Sequence, residues 1–379
     1  MSDMKNKLAI QWFIEQHSDW EKLLSEKPYC LIISRDEMFD KKLIMFKYNM
    51  IDSDMSLKLV QECRGLILDE DTLEPISVPM FKFFNYSENL ASPIDWSTAK
   101  IATKIDGSLI KIVRLGTKLL ISTNGTIDAF KAPIAEQINC PYKSFGNLAI
   151  SVLQKKAAAP CDFEEGWTYM FELVSPFSKI VIPYKETDMY YLGRRNNETF
   201  QEEHFSVDPF NGLFKIPEVF PLKTIDDCID ATSKMPWDNE GYVVCDKNFN
   251  RIKIKSPAYL AVHRLRGEGV MSYARAIELV RLNEVDEVLA YFPEFKDALL
   301  ECKSRFWKLV EDEQNAWNEY EKIDSSLLTR KDKALWITKH AKIPGLFFGI
   351  LDKKIESVES FFMNVPTEKI LKYMGYKEN

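Results

Sequence analysis

Residues 101–113 read Ile101-Ala102-Thr103-Lys104-Ile105-Asp106-Gly107-Ser108-Leu109-Ile110-Lys111-Ile112-Val113, two apolar, strand-like runs around a lysine, a spacer and an Asp-Gly pair. Asp-Gly between such runs is a hairpin signal, and taken alone the tetrapeptide reads as a tight turn whose lysine points into water. The other reading is a nucleophilic lysine carried at the end of a strand. The surrounding chain favours the second, because segments on both sides of Lys104 supply the charged groups that a lysine needs to attack a nucleotide phosphate.

At 379 residues with 46% hydrophobic residues, the chain has room for a sizeable core in more than one domain. A formal net charge of −7 excludes a generally basic coat for nucleic acid, although positive charge confined to one cleft remains compatible with it. The seven cysteines, odd in number and without Cys-x-x-Cys, predict reduced thiols in a cytoplasm rather than disulfides or a zinc site. The polar start Met1-Ser2-Asp3-Met4-Lys5-Asn6-Lys7 leads into an amphipathic stretch at 8–13 that is too short for a signal or a membrane span, so no membrane partner is expected.

From about residue 28 to 258, short apolar runs are broken by Gly, Pro, Asn and Asp, which predicts strands and turns: Leu31-Ile32-Ile33, Gly65-Leu66-Ile67-Leu68, Leu119-Leu120-Ile121, Ile180-Val181-Ile182 and Gly241-Tyr242-Val243-Val244. After Pro257 the turn residues thin out, and 273–290, 295–323 and 331–342 carry apolar residues at helical spacing. The reading is α+β, with one domain over 1–260 and a helical domain over 261–379. Phe306, Val310, Trp317 and Tyr320 share a helical face interrupted by Glu313 and Gln314, and read as core rather than a base-stacking platform.

A lysine acts as a nucleophile only after losing its proton, which desolvation, neighbouring cations or a phosphate within reach of the amine favours. In Arg251-Ile252-Lys253-Ile254-Lys255, period-two alternation puts Lys253 and Lys255 on one face and the isoleucines on the other. Two ammonium groups side by side suit a phosphate on which charge builds; the plainer reading is an edge strand with a solvated basic face. Glu240, before Gly241-Tyr242-Val243-Val244, stands at the mouth of a strand, where a carboxylate can hold Mg²⁺ beside phosphates. In Phe171-Glu172-Leu173-Val174, Phe171 offers a ring for an adenine face and Glu172 a carboxylate for a ribose hydroxyl, with core as the alternative for the ring. Arg64 and Lys82 are cations in apolar surroundings, and such cations need partners, either a buried carboxylate or a phosphate. Gly-x-x-x-x-Gly-Lys, Gly-x-Gly-x-x-Gly after a strand, and His-Glu-x-x-His are all absent from the sequence.

In this order the segments resemble the covalent lysyl-nucleotidyltransferases and, within them, the ATP-dependent RNA ligases of the T-even bacteriophage type. The resemblance runs nearly the full length: Tyr48 in Phe46-Lys47-Tyr48-Asn49, Arg64 in Glu62-Cys63-Arg64-Gly65, Lys82 in Lys82-Phe83-Phe84-Asn85, Lys104 in Lys-x-Asp-Gly, Glu172, Glu240, Lys253 with Lys255, then Tyr259 and His263. In the helical part it continues through Thr329-Arg330-Lys331-Asp332-Lys333 and Leu346-Phe347-Phe348-Gly349-Ile350. It implies an antiparallel-sheet nucleotidyltransferase domain that binds ATP, followed by a helical domain for RNA specificity. It implies Lys104 as the adenylated nucleophile in the turn of Asp106 and Gly107. Tyr48, Arg64, Lys82, Glu172, Lys253 and Lys255 would be ATP contacts, Glu240 and Asp286 metal-associated carboxylates, and Tyr259 an RNA contact. ATP and Mg²⁺ are the implied substrate and cofactor. RNA with 5′-phosphate and 3′-hydroxyl ends, in tRNA repair beside an end-preparing kinase and phosphatase, is the implied partner, in a host cytoplasm. Asp286, in Asn283-Glu284-Val285-Asp286-Glu287, also reads as a solvated helix face.

Two departures stand out. Ile105 replaces an acidic residue, and Ser122 and Asn124 replace lysines of the family, so that either Lys111 or Lys118 compensates or the first step is slower. DNA ligases and capping enzymes, the other enzymes of this type, add an OB-type barrel where helical periodicity occurs here. A binding module that has lost turnover is the reading outside enzymes.

Overall fold

The computed structural model describes residues 6–134, 140–178, 181–260, 272–291, 295–323 and 329–376. The chain divides into two compact units, 1–263 and 264–379.

In the first unit, β1 (Leu31–Met38), β2 (Lys41–Tyr48), β3 (Arg64–Asp69) and β4 (Pro75–Ser77) form an antiparallel sheet in that order. Helices α1 (Ala9–Gln16), α2 (Trp20–Ser25) and α3 (Lys58–Glu62) cover one face. Strand β2 shows how sequence dictates the layering. Its Ile44 and Phe46 join Ile10, Leu24 and Val60 beneath the helices, while Leu43 and Met45 join Val113 and Leu120 of a second sheet. A strand buried on both faces has no polar alternation to show, hence the unbroken run Leu43-Ile44-Met45-Phe46.

The second sheet is antiparallel and ordered β11-β10-β9-β7-β8, from β7 (Ser108–Leu115), β8 (Lys118–Thr123), β9 (Trp167–Val174), β10 (Asp188–Asn196) and β11 (Glu202–His204). One face packs Ile110, Ile112, Tyr169 and Phe171 against Leu148 and Val152 of α4 (Phe145–Lys155). The third sheet is ordered β12-β6-β13-β14-β5, from β5 (Phe84–Asn85), β6 (Lys100–Thr103), β12 (Val219–Phe220), β13 (Gly241–Cys245) and β14 (Arg251–Lys255). All its pairings are antiparallel except β14 with β5. Val244, Ile252 and Ile254 pack with Cys228 of α5 (Ile225–Ser233).

The second unit is helical in its described residues, with the longest helix at Lys296–Glu321. Phe306 and Tyr320 are buried in its core and Val310 and Trp317 pack against it, as the aromatic stripe predicts. Glu313, which interrupts the stripe, is buried because its carboxylate accepts the Lys342 N–H at 2.9 Å. The stretch 273–290, read as one helix, is two, Tyr273–Arg281 and Val285–Tyr291; Asn283 between them has φ 53°. Among the strand expectations, 180–182 is the exception. Ile180 lies outside the described residues, and Val181 and Ile182 form a bend rather than a strand. No helix among the described residues is long and apolar enough to cross a membrane.

Candidate active site

Strand β6 ends at Thr103 in the third sheet, and β7 begins at Ser108 in the second. Lys104-Ile105-Asp106-Gly107 is therefore no hairpin turn; it carries the chain from one sheet to another. The Lys104 N–H donates to the Gly241 carbonyl at 2.8 Å. The Asp106 carboxylate is buried and ties down two distant segments. One oxygen accepts the backbone N–H groups of Val181 (2.9 Å) and Ile182 (2.8 Å), and the other accepts the Tyr259 hydroxyl at 3.0 Å. Those two amides explain why Val181-Ile182 is not a strand: its donors are committed to a side chain. Gly107 lies against β9, where an added Cβ would strike the Leu173 carbonyl and stand 3.0 Å from Glu172 Cγ, so only glycine fits.

Lys104 Nζ lies 2.7 Å from Glu240 Oε1. Glu240 is almost wholly buried, directly before β13, with its carbonyl accepting the Ser256 N–H at 2.8 Å. The same Oε1 has Lys255 Nζ at 3.5 Å, while Oε2 is buried and accepts no hydrogen bond from the described residues. Strand β14 lies between β13 and β5, so it is not an edge. Its isoleucines enter the core as the alternation predicts, and its lysines face the other way, Lys255 buried behind Glu240 and Lys253 toward an open cavity.

That cavity has a volume of about 300 Å³. Its charged lining comprises Lys104, Glu172, Arg64, Lys253 and Arg251; its apolar walls include Leu109, Leu192, Phe205, Pro217 and Val243. Phe83 separates two of the cations, with the Arg64 guanidinium 5.5 Å and Lys253 Nζ 5.3 Å from its ring centre. Burial pushes the Glu172 carboxyl up to about 7, Lys104 and Arg64 pulling it down against Glu240 and Asp106. His204, also in the wall, is pushed down to about 4 by burial, then by Lys100 and Arg251. Its Nδ1 accepts the Ser206 backbone N–H at 3.3 Å, so the neutral ring carries its proton on Nε2.

The structure thus brings Arg64, Lys104, Glu172, Glu240, Lys253 and Lys255 together, and places other sequence candidates elsewhere. Phe171 does not reach the cavity: alternation along β9 sends it to the opposite face from Glu172, among Tyr191, Phe210 and Phe214. Tyr259 is buried with its hydroxyl on Asp106, which corrects its reading as an RNA contact. Tyr48 is buried beneath the α1–α3 layer, its ring 5.5 Å from Lys82 Nζ. Lys82 lines a neighbouring recess of about 530 Å³ that shares Phe83 and Arg251 with the first cavity. Asp286 is exposed in the second unit and ion-paired with Lys303 at 3.4 Å, in keeping with its reading as a solvated helix face. His263 lies outside the described residues.

Sequence reasoning missed Arg251, Glu202 and Arg195. Glu202 is buried between two guanidinium groups, accepting from Arg195 at 2.6 Å and pairing with Arg251 through both oxygens. Burial alone would raise this carboxyl, but Arg251 and Arg195 hold it below the ordinary range. A signal for Arg251 existed, since the alternation that groups Lys253 with Lys255 puts it on the same face.

Residues 62–259 match the family described as RNA ligase, over more than half of the chain. The chain belongs to this RNA ligase family, of the T-even phage type. A relative from Autographa californica nuclear polyhedrosis virus, named as a bifunctional polynucleotide kinase/RNA ligase, is 32% identical over 277 residues, which is 68% of this chain and 38% of the relative. This chain thus spans well under half of that larger protein. An RNA ligase of Rhodothermus phage RM378 is 23% identical, with 98% of this chain and 99% of that one covered. Among solved structures, an archaeal ATP-dependent RNA ligase covers 97% of this chain and 90% of its own at 12% identity, with a TM-score of 0.45.

Proposed function

We propose that this RNA ligase family member seals 5′-phosphate to 3′-hydroxyl RNA ends at the expense of ATP, through an AMP covalently held on Lys104. The observation that carries this reading is the Lys104–Glu240 pair at 2.7 Å, opening on a cavity rimmed by Arg64, Lys253 and Arg251. In the first step Lys104 Nζ attacks the α-phosphorus of ATP: a P–N bond forms, the bond to pyrophosphate breaks, and the departing proton has Glu240 Oε1 as its nearest acceptor. Arg64 and Lys253 stabilise the charge that builds on the phosphate oxygens. In the second, an RNA 5′-phosphate oxygen displaces Nζ, which regains a proton; in the third, a 3′-hydroxyl displaces AMP.

A divalent ion arriving with the triphosphate fits beside Glu240. Its Oε2 is a buried carboxylate oxygen with no hydrogen bond among the described residues, and would be the protein's donor to such an ion. The ion would neutralise phosphate charge. Lys82, in the adjoining recess with its Nζ 5.5 Å from the buried Tyr48 ring, is a candidate for the far end of the triphosphate.

Glu172, on this reading, accepts the ribose hydroxyls as an ionised carboxylate. With its pKa raised to about 7, KM for ATP should climb as pH falls below that value, by about tenfold per unit once the protonated form dominates. Glu172→Gln should flatten the profile. Stability of the protein without nucleotide runs the other way. A carboxyl raised in the folded state contributes stability that is full below about 4.5 and is lost as pH rises through about 7, so Glu172→Gln should gain on wild type across that window, as read by thermal melts. A pH-independent KM for the wild type would remove Glu172 from the ribose.

The helical second unit is proposed to select the RNA, with cleaved tRNA as substrate. The kinase named in the baculovirus relative supports a functional link to an activity that prepares 5′-phosphate ends. The test is intact-protein mass after incubation with Mg²⁺ and ATP, GTP or NAD, on protein first stripped with pyrophosphate, followed by ligation of a 5′-phosphorylated RNA. An AMP adduct from ATP alone and a sealed product support the reading; no adduct from any nucleotide overturns it.

A further inference from the structure

The face of the second sheet that presents Glu172 also carries Lys111, two residues along β7 from Leu109, the cross-strand neighbour of Glu172. Across the other edge of β7, Lys111 pairs with Ser122 of β8. Residues paired in this way share a face, with Cβ atoms about 5 Å apart, so a lysine at either position can bring its ammonium to the same place. Lys111 is fully buried, and its Nζ donates to the carbonyl of Gly65, the residue after Arg64. Gly65 has φ +79°, and an added Cβ would lie 2.8 Å from Lys111 Nζ and 2.7 Å from the Asn124 carbonyl oxygen. Lys111 and Gly65 thus pack together behind Arg64 and Asn124, which line the cavity. Ser122 Oγ and Asn124 Oδ1, in the same seam, are buried without a hydrogen bond among the described residues. Lys118 is excluded from this role: it is exposed at the far end of β8, with its Nζ 5.1 Å from the Phe39 ring.

A buried amine on a single carbonyl is costly, and an apolar side chain would fill the same space at less cost. Among the described residues Lys111 has no ion pair, so an anion bound at the cavity would stabilise its charged form. We propose that Lys111 is a positioning residue of the nucleotide site, supplying from β7 the charge that the family's lysines at 122 and 124 supply from β8, and bracing Arg64-Gly65 at the start of β3 and Asn124 against the phosphates. Burial, with Arg64 beside it, pushes Lys111 down to about 7, so an approaching anion can draw the charge out.

The inference rests on the ligase reading, and the test separates the two: failure of the wild type to form the AMP adduct sinks that reading before any variant is compared. With the adduct in hand, single-turnover adenylation rate, KM for ATP and melting temperature are measured for Lys111→Ser, Lys111→Met and the double variant Lys111→Ser/Ser122→Lys. Both single variants should adenylate at least about tenfold more slowly, and the double variant should return to within about threefold of wild type. Met fills the space of the lysine stem, so Lys111→Met keeps the test open if the serine variant does not fold. A folded Lys111→Met protein adenylating at the wild-type rate would overturn the proposal. So would a folded double variant no faster than Lys111→Ser.

Discussion

Lys104→Ala is expected to form no AMP adduct with any nucleotide, with overall ligation from ATP falling by at least about 10⁴-fold, the scale seen when a covalent nucleophile is removed. The fold should be unharmed. The Lys104 side chain is about one-fifth exposed, and Glu240 retains Lys255 Nζ at 3.5 Å as a counter-charge after the substitution. The variant should still seal RNA that already carries AMP on its 5′-phosphate, because on the proposed mechanism that last step uses the cations Arg64 and Lys253 but not the amine. Intact mass reads the first outcome and gel analysis of pre-adenylated RNA the second. Full ligation from ATP by the variant would end the covalent model, whereas loss of both activities in a folded protein would give Lys104 a binding role instead.

Glu202→Ala should be the most destabilising single change near the site, by about 3–5 kcal/mol, because it strands two buried guanidinium groups that now share one carboxylate. Arg195 keeps the Pro79 carbonyl at 2.8 Å, the Phe81 face at 4.0 Å and a weaker attraction to Glu62, and its Nε already lacks a hydrogen-bond partner among the described residues. Arg251 lines the cavity, so its release should weaken ATP binding as well. Denaturant melts of the variant, and of one in which Glu202, Arg195 and Arg251 are all replaced by Leu or Met, separate the causes. Recovery of stability without recovery of ATP affinity would mark Arg251 as part of the site. A loss below about 1 kcal/mol for Glu202→Ala would mean that the cluster is solvated rather than buried.

How much was legible follows from the range over which each signal acts. The alternation in Arg251-Ile252-Lys253-Ile254-Lys255 is local, and it assigned both faces of β14 correctly. In Phe171-Glu172 the same rule says that the two side chains point apart, but not which of them meets the core; that depends on α4, whose Leu148 and Val152 claim the aromatic face. Asn283 broke an expected helix by a backbone conformation that apolar periodicity does not report. The partners of Asp106 and Glu202 were invisible for a plainer reason. Tyr259 is 153 residues from Asp106, and Arg251 is 49 from Glu202, and nothing in either neighbourhood names the other. Lys111 was visible as a cation between two isoleucines, but only the register with Ser122 shows what stands opposite it.

The ties made by Asp106 also set a limit on dissection of the gene. Tyr259 closes the anchorage of the Lys104–Gly107 segment from the far end of the first unit, four residues beyond the last strand. A minimal fragment designed to end with that strand, at Lys255, would look complete as a set of sheets and yet carry a loosened lysine. Trimming for expression, domain exchange or permutation should therefore keep the stretch through Tyr259 intact.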